Sequence, residues 1–192
     1  MAATTALLVC DIQNGIIERV QGGPENTESF LQRLSQTIAA ARAASLPIIY
    51  VRVAFRPGMP EVSPRNALLA GAKAAGGTSF SESSASTQIH ASVAPHDGDI
   101  VVIKRRVSAL HGTDLDLVLR SLGVETLVIA GLSTSGVVMS TVRQGADMDY
   151  RLVVLADLCR DTEQDMHEAA IKVIAKQAEV LSAAEWVERL SH

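Results

Sequence analysis

Short aliphatic runs recur along this chain at Ala6-Leu-Leu-Val-Cys10, Ile48 to Ala54, Asp99 to Lys104, Thr126 to Ala130, Arg151 to Ala156 and Glu179 to Leu181. Between most of them, apolar residues return every three or four positions. Strand-length runs alternating with helix-period segments specify repeated βαβ units, in which a parallel sheet is buried on both faces. The expected fold class is therefore α/β, a three-layer αβα, Rossmann-like arrangement around a six-stranded, mainly parallel sheet. Its 192 residues have the length of one domain, 1–192, and no repeat, linker or low-complexity tract divides them.

The helical segments carry their own punctuation. Asn26 or Thr27 caps a helix with Phe30, Leu34, Ile38 and Ala41 on one face, ending before Pro47. Thr113, three residues before Asp116, reads as a capping-box-like start for Leu115, Val118, Leu119 and Leu122, with Gly123 as the stop. A helix to about Asp149 follows the loop Gly131-Leu-Ser-Thr-Ser-Gly136, and Met166, Ala170, Val173 and Ile174 mark the next. Ser182-x-x-Glu185 is a capping box opening a last helix with Trp186, Val187 and Leu190 inward. Residues 55 to 98 are rich in Pro, Gly and Ser, with one apolar patch at Ala67 to Ala72. They read as a long excursion holding one or two short helices.

Composition removes several function classes. Hydrophobic residues make up 47% of the chain and aromatics only 3%, which points to an aliphatic core. The net charge is −4 and no Lys/Arg run is dense enough to grip phosphates, so nucleic acid is not an expected partner. No apolar stretch approaches the roughly 18 residues of a membrane span, and Met1-Ala-Ala-Thr-Thr has no basic leader region. The expectation is a soluble, cytoplasmic protein with no membrane partner. Cys10 and Cys159 form neither a CxxC nor a Cys/His cluster, so neither a disulfide scaffold nor a zinc site is expected.

In an open α/β sheet the ligand site lies beyond the carboxyl ends of the strands. The residues closing the runs are Asp11, the Ala54 to Arg56 stretch, Lys104, the loop Gly131 to Gly136, and Asp157. Their plain alternatives are a turn residue, a solvated charge run and a helix cap. Lys104 and Arg106 are expected on one side of a strand end, with Arg105 on the other. Cys10 should face away from Asp11, and Cys159 should lie about three residues past the fifth strand; both read as ordinary buried thiols. His90, His96 and His111 read as surface or loop residues, and His167 as solvent-facing or packed on its helix.

Together, Ala6-Leu-Leu-Val-Cys-Asp-Ile-Gln-Asn-Gly15, Val101-Val-Ile-Lys-Arg-Arg-Val-Ser-Ala-Leu-His-Gly-Thr-Asp114, Gly131-Leu-Ser-Thr-Ser-Gly-Val-Val-Met-Ser-Thr141 and Val153-Val-Leu-Ala-Asp157 resemble the isochorismatase-like hydrolase family, or cysteine hydrolase superfamily. The resemblance implies a catalytic Asp, Lys and Cys at the carboxyl edge of the sheet. The Asp matches Asp11, the Lys matches Lys104, and the register places Gly136 at the position of the family Cys. It also implies a cis peptide at Leu132-Ser133 and a backbone N–H cradle at the helix start. Family metal sites use an Asp-x-His pattern after the second strand. Val53-Ala-Phe-Arg-Pro57 stands there, so no metal and no cofactor are expected.

The implied activity is hydrolysis of a small, carboxylated molecule. Family members without the Cys cleave a vinyl ether of isochorismate type, and Asp11 would then be the general acid. An alternative is attack of Asp11-activated water on an amide or ester with no thiol intermediate. A third reading is a catalytically silent member that binds a ligand or serves as an oligomeric module. Leu132, Ser133, Thr134, Ser135, Gln13 and Arg56 are the candidate substrate-binding residues, with Arg52 weaker. Relatives form dimers or tetramers, so a homo-oligomer is expected, while Trp186 is expected to pack on its own sheet.

Overall fold

The structure, a computed structural model, describes residues 4–20 and 26–190; Met1 to Ala3 of the N-terminal stretch lie outside them. In chain order its main elements are β1 (Thr4–Cys10), α1 (Asn14–Ile17), α2 (Thr27–Ala43), β2 (Ile48–Val53), α3 (Ala67–Gly76), β3 (Ile100–Lys104), α4 (Leu115–Ser121), β4 (Val124–Leu132), α5 (Met139–Asp147), β5 (Arg151–Arg160), α6 (Gln164–Ile174), β6 (Glu179–Leu181) and α7 (Ala183–Arg189). Among the described residues the six strands form one sheet in the order β3-β2-β1-β4-β5-β6, every pairing parallel. The α/β class expected from the apolar runs is the class observed. The chain winds outward in both directions from the β1–β4 pair, and that reversal of strand order opens the crevice in which such sheets bind ligands.

The period-2 alternation of the strands divides the core into two layers. Ala6, Leu8 and Cys10 of β1, with Leu127 and Ile129 of β4, face one layer, closed by Leu115 and Leu119 of α4, Val142 of α5 and Ile174 of α6. Leu7, Val9, Val128 and Ala130 face the other, closed by Phe30, Leu34 and Ile38 of α2 and Trp186 of α7. Trp186 thus packs on its own sheet. A separate small cluster of Phe55, Met59 and Leu69 anchors the excursion between β2 and β3, with Phe80 edge-on to Phe55 at 6.5 Å.

Several local expectations change. Asn26 caps α2, accepting from Ser29 N–H, and the capping box of Ser182 and Glu185 is present in full. The box expected at Thr113 is not. Thr113 donates to the Ala109 carbonyl, and Asp116 instead takes the Tyr150 hydroxyl at 2.7 Å and pairs with Arg120. A tertiary partner for Asp116 outcompetes the local one. Of the residues that mark α6 in the sequence, Met166 is 48% exposed, while Ala170 and Ile174 are the buried ones. β5 runs on to Arg160, because Leu158 and Cys159 are buried beyond the polar Asp157.

At the centre of the sheet Gly131 pairs with Cys10 on one side and Cys159 on the other. A Cβ at Gly131 would sit 2.7 Å from the Cβ of Cys10 and closer still to its carbonyl oxygen, so β1 and β4 approach more tightly than any side chain allows. Gly131→Ala should lower stability by about 3 kcal/mol, read as a shift of the denaturant midpoint at unchanged slope. A variant as stable as the parent would show that the strands part freely here.

Candidate active site

The site begins where β1 ends. Asp11 takes a left-handed conformation, φ 55°, which aspartate tolerates better than most residues. Its N–H donates to the Val51 carbonyl at 2.8 Å and its own carbonyl accepts from Gln13 N–H at 2.8 Å, fixing the turn. β3 ends at Lys104, with β2 between the two strands. The Lys104 ammonium meets Asp11 Oδ2 at 2.8 Å, and both side chains are almost fully buried. Lys104 also donates to the carbonyl of Arg106 at 3.1 Å. Asp11 Oδ1 is buried and makes no hydrogen bond. Burial pushes the Asp11 carboxyl above the ordinary carboxylate range, against the pull of the Lys104 charge.

The third component leaves the sheet beside Asp11, since Cys10 and Gly131 are in register. The Leu132-Ser133 peptide is cis, and residues Thr134–Val138 form a single π turn ahead of α5. Two side chains from beyond β5 hold this turn. Asp161 accepts the Ser135 N–H at 2.6 Å and the Thr162 N–H at 3.0 Å, and Thr134 Oγ1 shares a 2.8 Å hydrogen bond with His167 Nδ1. Burial lowers the His167 pKa, favouring the neutral ring. The loop hydroxyls, expected to cap the next helix, do not: Ser133 makes no side-chain cap, and Thr134 is turned to His167. Because Ser135 N–H is held by Asp161, it is also withdrawn from any anion cradle.

The other sequence candidates divide. Gln13 is buried, with its amide fully engaged by Val53 N–H and the carbonyls of Val53 and Thr87, so it braces β2 and the excursion. The side chains of Leu132 and Thr134 are likewise buried, the former in the core layer under α2, while Ser133 and Ser135 are half-buried. At Gly136, φ −92° and ψ −105°, an added Cβ would meet Ser133 Oγ at 2.5 Å, a contact that rotation of the serine side chain relieves, and nothing else closer than 3.9 Å. The next residue, Val137, is buried in the apolar layer with Cys10.

Arg56 is exposed and paired with Glu61 at 2.6 Å, and Arg52 donates to the Thr87 carbonyl. The alternation expected over residues 104–106 stops with the strand, for Arg105 and Arg106 both reach Glu61, through its carboxylate and its carbonyl respectively. Asp157 is a correction. It lies inside β5, pairs with Arg33 and accepts from Ala183 N–H, while Asp161 holds the strand-end position. Cys159 is in β5 and not beyond it. His167, expected to face solvent or to pack, is a partner of the loop. Among the described residues no cluster of three or more His, Cys, Asp or Glu is gathered for a metal.

Asp and Lys are thus buried in contact at two strand ends, beside a cis-peptide turn, and the sequence carrying them has relatives. Residues 5–185 match the profile of the isochorismatase domain. This chain belongs to the isochorismatase family. It is 33% identical to the uncharacterised isochorismatase family protein YecD of Escherichia coli O157:H7, covering 90% of this chain and 88% of that one. It is also 33% identical to the ureidoacrylate amidohydrolase RutB of Methylobacterium radiotolerans, covering 88% of this chain and 72% of the relative. The fold superposes on that of a cysteine hydrolase from Pseudomonas syringae pv. phaseolicola with a TM-score of 0.85 over 97% of this chain and 92% of the other, at 24% identity. The protein is thus a hydrolase of the isochorismatase family, and no helix among its described residues is long and apolar enough to cross a membrane.

Proposed function

We propose that this family member hydrolyses a small carboxylated molecule with Asp11 as its proton-transfer residue and water, not a protein thiol, as the nucleophile. One observation carries the reading: Asp11 has one oxygen on Lys104 and the other buried with no hydrogen bond, in a carboxyl that burial lifts towards the pH at which it can hold a proton. Residues 131–141 contain no cysteine, and neither Gly136 nor Val137 can attack a carbonyl. Burial pushes the Cys10 thiol far up and that of Cys159 to about 12, so neither supplies a thiolate.

A reaction that needs an acid and no nucleophilic side chain is the hydrolysis of an enol-pyruvyl ether, as in isochorismate. Asp11 gives its proton to the methylene carbon, water adds to the resulting cation, and the hemiketal collapses to pyruvate and an alcohol, returning a proton to Asp11. Lys104 holds the carboxyl in place and steadies the carboxylate left behind. The relatives named ureidoacrylate amidohydrolase favour a second reading, cleavage of a C–N bond with Asp11 as the base that takes a proton from water.

Product analysis separates the two. The protein is incubated with isochorismate and with ureidoacrylate, and pyruvate release or loss of the ureido group is followed against pH. As an acid, Asp11 works protonated, so kcat/KM for the enol ether falls as pH rises through its raised pKa. As a base it works ionised, and the C–N rate rises over the same interval. Turnover with no pH step, or no product from either compound, would remove Asp11 from this role.

A further inference from the structure

The excursion between β2 and β3 encloses a cleft of about 840 Å³, walled by Arg56, Lys73, Ser79, Ser81, Ser83 and Ser84. Among the described residues no acidic side chain lines it. Two cations converge there through the backbone, because Met59 N–H bonds the Arg56 carbonyl at 2.9 Å while Lys73 of α3 donates to the Met59 carbonyl at 3.2 Å. The Arg56 guanidinium is anchored at one nitrogen by Glu61 and is otherwise 61% exposed, leaving donors free. Lys73 keeps two further N–H groups.

A chain of contacts links the cleft to the Asp11–Lys104 pair. Ala54 N–H donates to the Lys104 carbonyl, and Arg56 follows two residues later, within about 7 Å of chain. Glu61 ties the two together, since its carboxylate receives Arg56 and Arg105 and its carbonyl receives Arg106, whose own carbonyl accepts from Lys104. Although burial alone would raise it, these hydrogen bonds hold the Glu61 carboxyl below its ordinary range, so it stays ionised as a bracket for the arginines.

We propose that this cleft is the subsite for a carboxylate of the substrate, gripped by Arg56 and Lys73 with one hydroxyl of the hydrogen-bonded Ser81–Ser83 pair as a further donor, while the bond to be cleaved lies at Asp11. The inference rests on the hydrolase reading and adds its specificity element: a carboxylate set apart from the scissile group, with an uncharged amide in its place rejected.

Calorimetric titration of the intact protein tests it without turnover, using malonate, malonamide and inorganic phosphate as probes. Malonate should bind and malonamide should not. Arg56→Gln and Lys73→Gln should each weaken malonate about tenfold, and Asp11→Asn should leave it unchanged. If Arg56→Gln unfolds through loss of its Glu61 contact, Lys73→Gln alone decides. Equal malonate affinity in a folded variant, no binding of malonate, or phosphate preferred to malonate would overturn the carboxylate subsite. Malonate binding that persists while no substrate turns over would instead sink the hydrolase reading and leave the cleft intact.

Discussion

Asp11→Asn is expected to lower kcat by about three orders of magnitude, within the range that loss of a general acid or base produces, with KM little changed. The substitution keeps the shape of the side chain, so the turn closing β1 survives: its hydrogen bonds to Val51 and Gln13 are made by the backbone. What disappears is the ability to give or take a proton at the unpartnered oxygen. The measurement is single-substrate kinetics on the variant beside the parent, with circular dichroism confirming the fold. Retention of more than about a tenth of the parent rate would show that proton transfer occurs elsewhere.

The second large effect is on stability. Lys104→Met leaves the Asp11 carboxylate buried without its counter-charge, which in comparable settings costs about 3 to 5 kcal/mol. Its pH dependence has a definite sign. A carboxyl whose folded pKa stands above its unfolded value favours the protonated fold, so the deficit is present above that folded pKa and shrinks as pH falls through it towards the unfolded value near 4. The double variant Asp11→Asn/Lys104→Met removes both charges together and should lose less than the sum of the single losses, by about 2 kcal/mol. Denaturant titrations of the four proteins at two pH values check this, and strict additivity would mean that the two side chains do not act as a pair.

How much of this was legible in the sequence depended on whether a residue's partner was near or far along the chain. Asp11 and Lys104 stand out because each is the first ionisable group after an unbroken aliphatic run, and such a run can end only at the carboxyl edge. Asn26 and Ser182 stand out because their hydrogen bonds are made within three residues. Asp161 does not. Ala156-Asp157 looks like the end of a strand, and only burial of Leu158 and Cys159 against distant residues carries β5 further. His167 is invisible for the same reason, its partner Thr134 lying on another element. The excursion is held by single turns braced from afar, as where Gln13 bonds the Thr87 carbonyl, and no periodicity marks such bonds.

Gly136 shows the limit of motif register. Matching letters along the loop identifies the segment, but what an added side chain would meet there is set by the π turn and by the rotamer of Ser133, features of the fold in three dimensions.

The central pairing of β1 with β4 has a consequence in time as well as in space. Asp11 and Lys104 meet only when β1, β2 and β3 have paired, and the Leu132-Ser133 turn joins them only when β1 has also found β4. Pairings of that kind pay a large loop-closure entropy before any contact rewards it, and they form late and cooperatively. Only a chain with β1 paired on both edges can therefore hold the whole candidate site. Catalytic activity should recover in step with the last phase of refolding, making turnover a direct count of completed molecules.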